Sequence, residues 1–227
     1  MNRLRYFLKQ FVHRRKNWAL NDINTKLDNY LIYKKGFYIE LGANDGLKQS
    51  NTYHLESRMG WKGILIEPHE PNFQKLLENR SSKNHFINCA CVSFAYSSQT
   101  YRYVYSDLMS IGLDDENDIS DRIDHARQGL KFLDQSAINE IFTSTARTLD
   151  SILIETGAPA EIDFLSLDVE GAELSVLQGI NHDSYKFKYI LVESRNILDL
   201  GTYLKSKGYN LLESVSYHDY LFGYELD

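Results

Sequence analysis

The feature that most constrains the fold is an alternation of short apolar runs with helical segments, which begins after Gly36. The apolar runs have the length of buried strands, and they are GFYIELGA, GILIEP, HFINCACVS, IDFLSLDVEG and KYILVES. Strands that alternate with helices form a parallel sheet covered by helices on both faces. YNLLES and DYLFGYEL then follow each other with a short loop between them, which is typical of an antiparallel hairpin. The sequence therefore predicts one α/β domain over residues 36–227, with a mostly parallel sheet and an antiparallel C-terminal hairpin.

Residues 1–35 precede this pattern and are predicted to be helical. Their apolar residues recur at helical spacing, at Leu4, Phe7, Leu8, Phe11 and Val12. The first 16 residues carry six basic groups and no acidic one. A basic amphipathic helix either packs on the domain or rests on an anionic membrane surface. Both interpretations stay open, and the second predicts a peripheral membrane contact through residues 1–16.

Residues 106–146 differ in composition from the rest of the domain and are predicted to be an insertion. Seven acidic residues and one arginine occur between positions 106 and 124, after a stretch that contains Tyr101, Tyr103 and Tyr105. Carboxylates accept hydrogen bonds from hydroxyl groups, and aromatic rings stack on flat apolar faces of ligands. The segment is therefore predicted to be a lid over a bound substrate, and a solvated loop is the alternative.

The distribution of charge excludes some classes of protein. The formal net charge is -6, and because the first 16 residues are basic, the remaining 211 carry -12. An acidic body argues against a general nucleic-acid binder, which needs a basic surface. There is no apolar run of about 18 residues and no signal-peptide pattern, and Cys89 and Cys91 lack the CxxC spacing of zinc sites. These features predict a cytoplasmic protein with reduced thiols.

The stretch YIELGANDG, residues 38–46, joins the first predicted strand to a turn that contains two glycines. Ligands of open α/β sheets bind at such strand ends, and Gly42 and Gly46 allow close approach of the backbone. The three-glycine fingerprint of dinucleotide-binding proteins is missing, and Glu40 and Asp45 would repel a pyrophosphate. A nicotinamide-dependent oxidoreductase is therefore the less favoured enzyme class.

The next predicted strand ends in Glu67, 21 residues after Gly46, a position suited to hydrogen bonds with both hydroxyls of a ribose. A nucleoside that carries positive groups in place of phosphate fits both observations. S-adenosylmethionine, with its amino group and sulfonium, is such a ligand. The alternative is structural: Glu40 caps the next helix, and Glu67 pairs with a surface lysine.

Several motifs occur together in one order and spacing: FYIELGANDG, SNTYHLE, GWKGILIEP, TLDSIL, IDFLSLDVEGAELSVLQGI and YILVE. Over roughly residues 36–195 the chain resembles the FkbM family of methyltransferases, and LDVEGAE is quite specific to that family. The resemblance implies a seven-stranded, Rossmann-like class I methyltransferase fold and S-adenosylmethionine as donor. It also implies transfer to a hydroxyl, commonly on a saccharide or a related metabolite. Some relatives are trafficking or interaction proteins, so a catalytically silent interaction module is the alternative.

The matching motifs predict a cofactor site along the ends of three strands. The methionine end of the donor is expected to lie among Glu40, Gly42, Asn44 and Gly46. Glu67 is expected to bind the ribose. The end of the third strand is expected to flank the adenine with Asn88, Cys89 and Ala90.

Methyl transfer to a hydroxyl needs alignment of the oxygen with the methyl group and a base for the proton. Asp168 at a strand end and Glu170 at the following turn are the predicted catalytic acids, with His54 as another candidate base. Glu193 ends the neighbouring strand, so Asp168 and Glu193 are also a candidate Mg²⁺ site. The prediction is an S-adenosylmethionine-dependent O-methyltransferase with a small-molecule or glycan acceptor and no nucleic-acid partner.

Overall fold

The computed structural model describes residues 19–114 and 141–224, which form a large sheet covered by helices and a second, smaller sheet. The strands are β1 (Phe37–Leu41), β2 (Lys62–Ile66), β3 (His85–Ile87), β4 (Ala90–Cys91), β5 (Thr100–Val104), β6 (Ile111–Gly112), β7 (Ile141–Arg147), β8 (Glu161–Leu167), β9 (Lys186–Glu193), β10 (Tyr209–Ser214) and β11 (Asp219–Tyr224). The helices are α1 (Ile23–Leu27), α2 (Tyr53–Met59), α3 (Glu70–Asn79), α4 (Leu149–Thr156), α5 (Glu173–Gln178) and α6 (Ile197–Ser206). Two short 3₁₀ helices also occur, at Leu20–Asp22 and Asp107–Met109.

The large sheet has seven strands in the order β10–β11–β9–β8–β1–β2–β3. All of them are parallel except β11, which runs antiparallel to both of its neighbours, β9 and β10. This confirms the predicted sheet with its C-terminal hairpin. From β1 the chain moves outward to β2 and β3, whereas from β8 it moves in the opposite direction to β9. The strand order therefore reverses between β1 and β8, where ligands of open α/β sheets bind.

Both faces of the large sheet are buried under helices. Successive side chains of a strand point to opposite faces, so each central strand contributes residues to two apolar clusters. On one face, Ile39 and Leu165 belong to an apolar cluster with residues of α4, α5 and α6. On the other face, Tyr38 and Phe164 belong to a second cluster with residues of α1, α2 and α3. A sheet covered on both faces requires nearly continuous apolar strands, which is why the sequence pattern identified them.

The N-terminal segment is only partly helical within the described residues. α1 ends at Leu27, and the chain beyond it is held by tertiary contacts, such as the hydrogen bond of 2.7 Å that the Tyr33 hydroxyl donates to Asp163. The helix predicted up to residue 35 is therefore not formed beyond Leu27. Residues 1–18 lie outside the described residues, so the amphipathic helix and its membrane contact stay predictions. Among the helices that the structure describes, none is long and apolar enough to cross a membrane.

The predicted insertion at residues 106–146 contributes to the second sheet, whose strand order is β4–β7–β5–β6. β5 confirms the extra strand expected in QTYRYVYS, whereas β7 has no counterpart among the predicted strands. β7 pairs antiparallel with β5 and parallel with β4, and this links the second sheet to the chain that follows β3. Residues 115–140 lie outside the described residues, so the acceptor lid stays a prediction.

Candidate active site

A cavity opens at the carboxyl edge of the large sheet, where the strand order reverses. It measures about 810 Å³, counted with the solvent at its mouth. Residues that follow β1, β2, β3 and β8 line it together with residues of the second sheet. It brings together seven of the predicted site residues: Gly42, Asn44, Glu67, Cys89, Ala90, Asp168 and Glu170.

Gly42 lies where the loop after β1 passes close to the end of β8. Its φ of +75° is in the left-handed region, and a Cβ atom there would lie 2.0 Å from the carbonyl oxygen of Asp168. Only glycine satisfies both conditions, so the two strand ends can approach each other at the cavity. Gly46 also has a positive φ, but the space beside it is filled by Leu76 and Arg80, and it does not line the cavity.

Glu67 is buried at the end of β2 and lines the cavity. Its carboxylate accepts hydrogen bonds from the backbone amides of Asn44, at 2.8 Å, and His69, at 2.9 Å. Burial raises the pKa of Glu67 to about 7, against the opposing effect of these two hydrogen bonds. The carboxylate therefore joins the β1 loop to the end of β2 and titrates near neutral pH, and it does not pair with a surface lysine.

The wild-type protein is expected to lose stability relative to Glu67→Gln as the pH rises. The folded protein keeps this carboxyl protonated up to a pKa of about 7, whereas the unfolded chain ionises it near the ordinary value of 4.5. Between these values the folded state binds more protons, so unfolding becomes more favourable as the pH rises. The stability difference between the two proteins should change by about 3 kcal/mol between about pH 4 and about pH 8. Urea unfolding of both proteins across this pH range measures the stability difference. A stability difference that does not change with pH would contradict the raised pKa of Glu67.

Asp168 follows β8 and lines the cavity beside Glu170. Burial raises the pKa of Asp168 well above its usual range, and the nearby carboxylates of Glu193, Glu170, Glu173 and Asp219 raise it further. Burial and Glu170 also raise the pKa of Glu193, to about 7. The carboxyl edge between β8 and β9 is therefore a site where negative charges repel one another and a cation or a proton is favoured.

The acids after β8 do not all have the same role. Glu173 accepts hydrogen bonds from the backbone amides of Val169, at 3.1 Å, and Gly171, at 3.0 Å, so it stabilises the turn that precedes α5. Glu170 has a φ of +52°, an uncommon conformation for a residue with a side chain, and it lines the cavity. The geometry thus separates a structural acid, Glu173, from the two that face the cavity.

The structure does not support the predicted Mg²⁺ site. Asp168 lines the main cavity, whereas Glu193 lines a smaller neighbouring pocket with Glu173 and Arg195. Within residues 19–114 and 141–224, no group of three or more His, Cys, Asp or Glu side chains is arranged to hold a metal ion.

Glu40 and Asn88, both predicted cofactor contacts, do not line the cavity. The Glu40 carboxylate accepts hydrogen bonds from the Ser50 hydroxyl, at 2.9 Å, and from the Thr52 hydroxyl, at 2.6 Å. It also pairs with Arg80 at 3.1 Å. Since Thr52 is the N-cap residue of α2, this geometry agrees with the structural alternative, in which Glu40 organises the start of the next helix. The Asn88 side chain donates to the carbonyl oxygen of Glu67, at 2.9 Å, and therefore supports the end of β2.

His54, the predicted alternative base, is also absent from the cavity lining. It is buried in the first turn of α2, and its Nε2 atom lies 3.9 Å from a carboxylate oxygen of Asp28, on the segment after α1. Burial lowers the pKa of His54 to about 4, with a further contribution from Arg58 and Arg80. The side chain therefore faces the packed N-terminal segment, and the sequence could not show which side of α2 it occupies.

The second sheet supplies cavity residues that the sequence pattern did not single out as cofactor contacts. Tyr103 of β5 and Phe142 of β7 both line the cavity, and their rings stack with centroids 5.0 Å apart. Lys48 of the β1 loop forms an ion pair with Asp107, so the loop and the second sheet meet at the cavity. The alternating tyrosines of YRYVYS signalled Tyr103, but nothing local to Phe142 distinguishes it from an ordinary strand residue.

Comparison with known proteins gives one family match. A profile described as the methyltransferase FkbM domain matches residues 40–211. No curated protein sequence matches the chain.

Solved structures with some similarity include the METTL16 MTase domain, with 10% identity and a TM-score of 0.42 over 88% of this chain. The chain spans 64% of the length of that domain. A precorrin-6y C5,15-methyltransferase from Geobacter metallireducens GS-15 has 11% identity and a TM-score of 0.40, over 91% of this chain and 90% of the other. At these values the similarities carry no argument about activity.

The family match covers 172 of the 227 residues, from β1 to β10, and therefore contains the ends of β1, β2, β3 and β8 that surround the cavity. The strand order, with its reversal between β1 and β8, is consistent with this match. Methyltransferases of this kind typically use S-adenosylmethionine. The chain belongs to the FkbM methyltransferase family.

Proposed function

We propose that this protein transfers a methyl group from S-adenosylmethionine to a hydroxyl group of a saccharide or a related metabolite. The observation that carries the proposal is the convergence of Gly42, Glu67 and Asp168 on one cavity at the point where the strand order reverses. These residues come from three different strand ends. Each offers what a different part of the donor requires, and the family match supports the reaction class.

The residues of the cavity fit the parts of the donor. Gly42 lines the cavity and lets the β1 loop pack directly against the backbone of Asp168, so the methionine part can lie where these two strand ends meet. The Glu67 carboxylate lines the middle of this edge and suits the two ribose hydroxyls. Cys89, Ala90 and the ring of Tyr103 provide apolar and aromatic surface for the adenine.

The chemistry needs little from the protein beyond orientation and removal of a proton. When bound, S-adenosylmethionine supplies a methyl group activated by a positively charged sulfur, to which the acids after β8 are complementary. Asp168 is proposed to accept the proton of the acceptor hydroxyl. Because burial and neighbouring carboxylates raise its pKa, its ionised form is a stronger base than an ordinary carboxylate. Glu170, at the same edge, is proposed to orient the hydroxyl.

The acceptor class rests on another part of the same cavity. Asp107 and Ser110, which precede β6, line the cavity together with the Phe142 ring. A few polar groups beside an aromatic surface are suited to a ligand that has both hydroxyls and an apolar face, as a saccharide has. The hydroxyl, rather than an amine, is inferred from the resemblance to the FkbM family.

The proposal is tested by incubating the protein with S-adenosylmethionine labelled in its methyl group and a panel of neutral mono- and oligosaccharides. Matched amino sugars serve as the comparison, since they differ by one amine. The expected product is a methyl ether on a sugar oxygen, identified by mass spectrometry after hydrolysis. Methylation confined to the nitrogen of the amino sugars would contradict the O-methyltransferase assignment. Absence of transfer to all of them, in a protein that binds the donor, would favour the silent interaction module.

A further inference from the structure

A buried arginine lies directly behind the loop that follows β1. Residues 42–51 form this loop, which we call the glycine loop. Thr52, the N-cap residue of α2, follows it directly. Arg80 follows α3, and only 3% of its surface is exposed. It does not line the cavity, so it cannot contact a ligand there.

Two nitrogen atoms of the Arg80 guanidinium donate hydrogen bonds to groups around the glycine loop. Its Nη1 atom donates to the carbonyl oxygen of Gly46, at 3.2 Å, to the hydroxyl of Ser50, at 3.2 Å, and to the carboxylate of Glu40, at 3.1 Å. Its Nη2 atom donates to the hydroxyl of Thr52, at 2.8 Å. One side chain therefore connects the strand before the loop, the middle of the loop, its end and the helix that follows.

The opposite side of the guanidinium is held away from the loop. The Nε atom donates to the carboxylate of Glu56 in α2 at 2.9 Å, and Nη2 also donates to the Tyr38 hydroxyl at 2.8 Å. Glu56 further accepts from the Asn84 side chain, at 2.6 Å, and from the backbone amide of Ser81, at 3.0 Å. Glu56 therefore holds the side of Arg80 that faces α2.

We infer that Arg80 is the positioning residue of the cofactor cavity, because it holds the glycine loop in the conformation that lines it, and that Glu40 is its counter-ion. The acid of the YIELGANDG motif then acts on the ligand only through Arg80 and the loop. The part of this inference that concerns cofactor affinity rests on the proposed function. The part that concerns the loop does not, since the loop conformation can be measured without a ligand.

A lysine cannot replace Arg80 in this role. The guanidinium presents donors on three nitrogen atoms in a fixed plane, whereas an ammonium concentrates three donors at one point. Lysine would keep the positive charge that the buried Glu40 and Glu56 require, and so avoid most of the penalty of an unpaired buried carboxylate. It would lose several of the hydrogen bonds to Gly46, Ser50 and Thr52. Arg80→Lys therefore separates the positioning role from the neutralisation of charge.

The test is hydrogen–deuterium exchange of the glycine loop in the protein without ligand, followed by calorimetric titration with S-adenosylhomocysteine. In Arg80→Lys the amides of residues 43–50 are expected to exchange about tenfold faster, and the Kd to rise about tenfold, because local opening becomes about 1.4 kcal/mol easier. Tyr209→Phe is the control for general stability, since it removes a buried hydrogen-bond acceptor of the Phe187 amide, between β9 and β10 and not around the glycine loop. In this variant the loop exchange and the Kd should stay within about twofold of wild type, even if the melting temperature falls.

Equal acceleration of loop exchange in both variants would overturn the inference, because Arg80 would then act only through general stability. So would unchanged loop exchange in a folded Arg80→Lys protein. If Arg80→Lys fails to fold, Thr52→Val replaces it, since it removes one hydroxyl that joins Arg80 and Glu40 while keeping both charges. It should accelerate loop exchange in the same way, and unchanged exchange would again overturn the inference. A wild-type protein that does not bind S-adenosylhomocysteine contradicts the proposed function, while the exchange data still decide the role of Arg80.

Discussion

Replacement of Gly42 by alanine is expected to lower both the stability of this protein and its affinity for the methyl donor. Position 42 has a φ of +75°, and the added Cβ atom would lie 2.0 Å from the carbonyl oxygen of Asp168, which is backbone and cannot rotate away. The backbone conformation costs about 1–2 kcal/mol for a residue with a side chain, and the clash adds about 1–3 kcal/mol. Urea unfolding should therefore show a loss of about 3 kcal/mol, and titration should show no binding of S-adenosylhomocysteine.

Gly60→Ala is the matched control for this prediction. Gly60 ends α2 with a φ of +72°, nearly the same as that of Gly42, but a Cβ atom there would meet nothing within 4 Å. The control therefore carries the backbone cost alone, about 1–2 kcal/mol, and should bind S-adenosylhomocysteine like wild type. Equal losses in the two variants would mean that the contact between the β1 loop and the end of β8 does not matter.

Replacement of Asp168 by asparagine is expected to lower kcat by about 100-fold to 10,000-fold, the usual contribution of a general base. Asparagine keeps the shape of the side chain but cannot accept the proton of the acceptor hydroxyl. Labelled methyl transfer at saturating donor measures the loss, with an acceptor found in the saccharide panel. In wild type the rate should also rise with pH, because a carboxyl with a raised pKa is available as a base only once it ionises. This rise should disappear in Asp168→Asn.

The control for Asp168→Asn is Glu161→Gln, which removes an exposed carboxylate at the opposite end of β8. It should leave kcat and its pH dependence unchanged. Binding of S-adenosylhomocysteine to Asp168→Asn should stay within about tenfold of wild type, since one charge near the ligand contributes about 1 kcal/mol. An Asp168→Asn protein with wild-type kcat would show that another group accepts the proton, and Glu170 would then be the next residue to replace.

The large sheet and the strand-end residues were predictable because their signals are local. β1, β2, β8 and β9 are continuous apolar runs, and a sheet buried on both faces requires such runs. Gly42, Glu67 and Asp168 follow directly after three of these strands, so their convergence on one edge follows from the parallel arrangement alone. Each of these three residues can therefore be recognised from the apolar strand that directly precedes it.

The remaining features depend on contacts between residues far apart in the chain. Glu40 is turned away from the cavity by Arg80, which lies 40 positions later and has no motif that marks it. β7 was not recognisable because its one buried residue, Ser144, is polar and the apolar Ile141 is exposed, and its pairing with β5 and β4 is what makes it a strand. The side of α2 on which His54 lies could not be predicted, because the first turn of α2 is buried against both the sheet and the N-terminal segment.

The most direct test of the central claim is calorimetric titration of the wild-type protein with S-adenosylhomocysteine, beside NAD and beside a folded Glu67→Ala protein. We expect micromolar binding of S-adenosylhomocysteine, no binding of NAD, and a loss of affinity of at least tenfold in Glu67→Ala, because the ribose hydroxyls lose a hydrogen-bond acceptor. Binding of NAD in preference to S-adenosylhomocysteine, or no binding of either to a folded protein, would contradict the assignment of this cavity as a methyl-donor site.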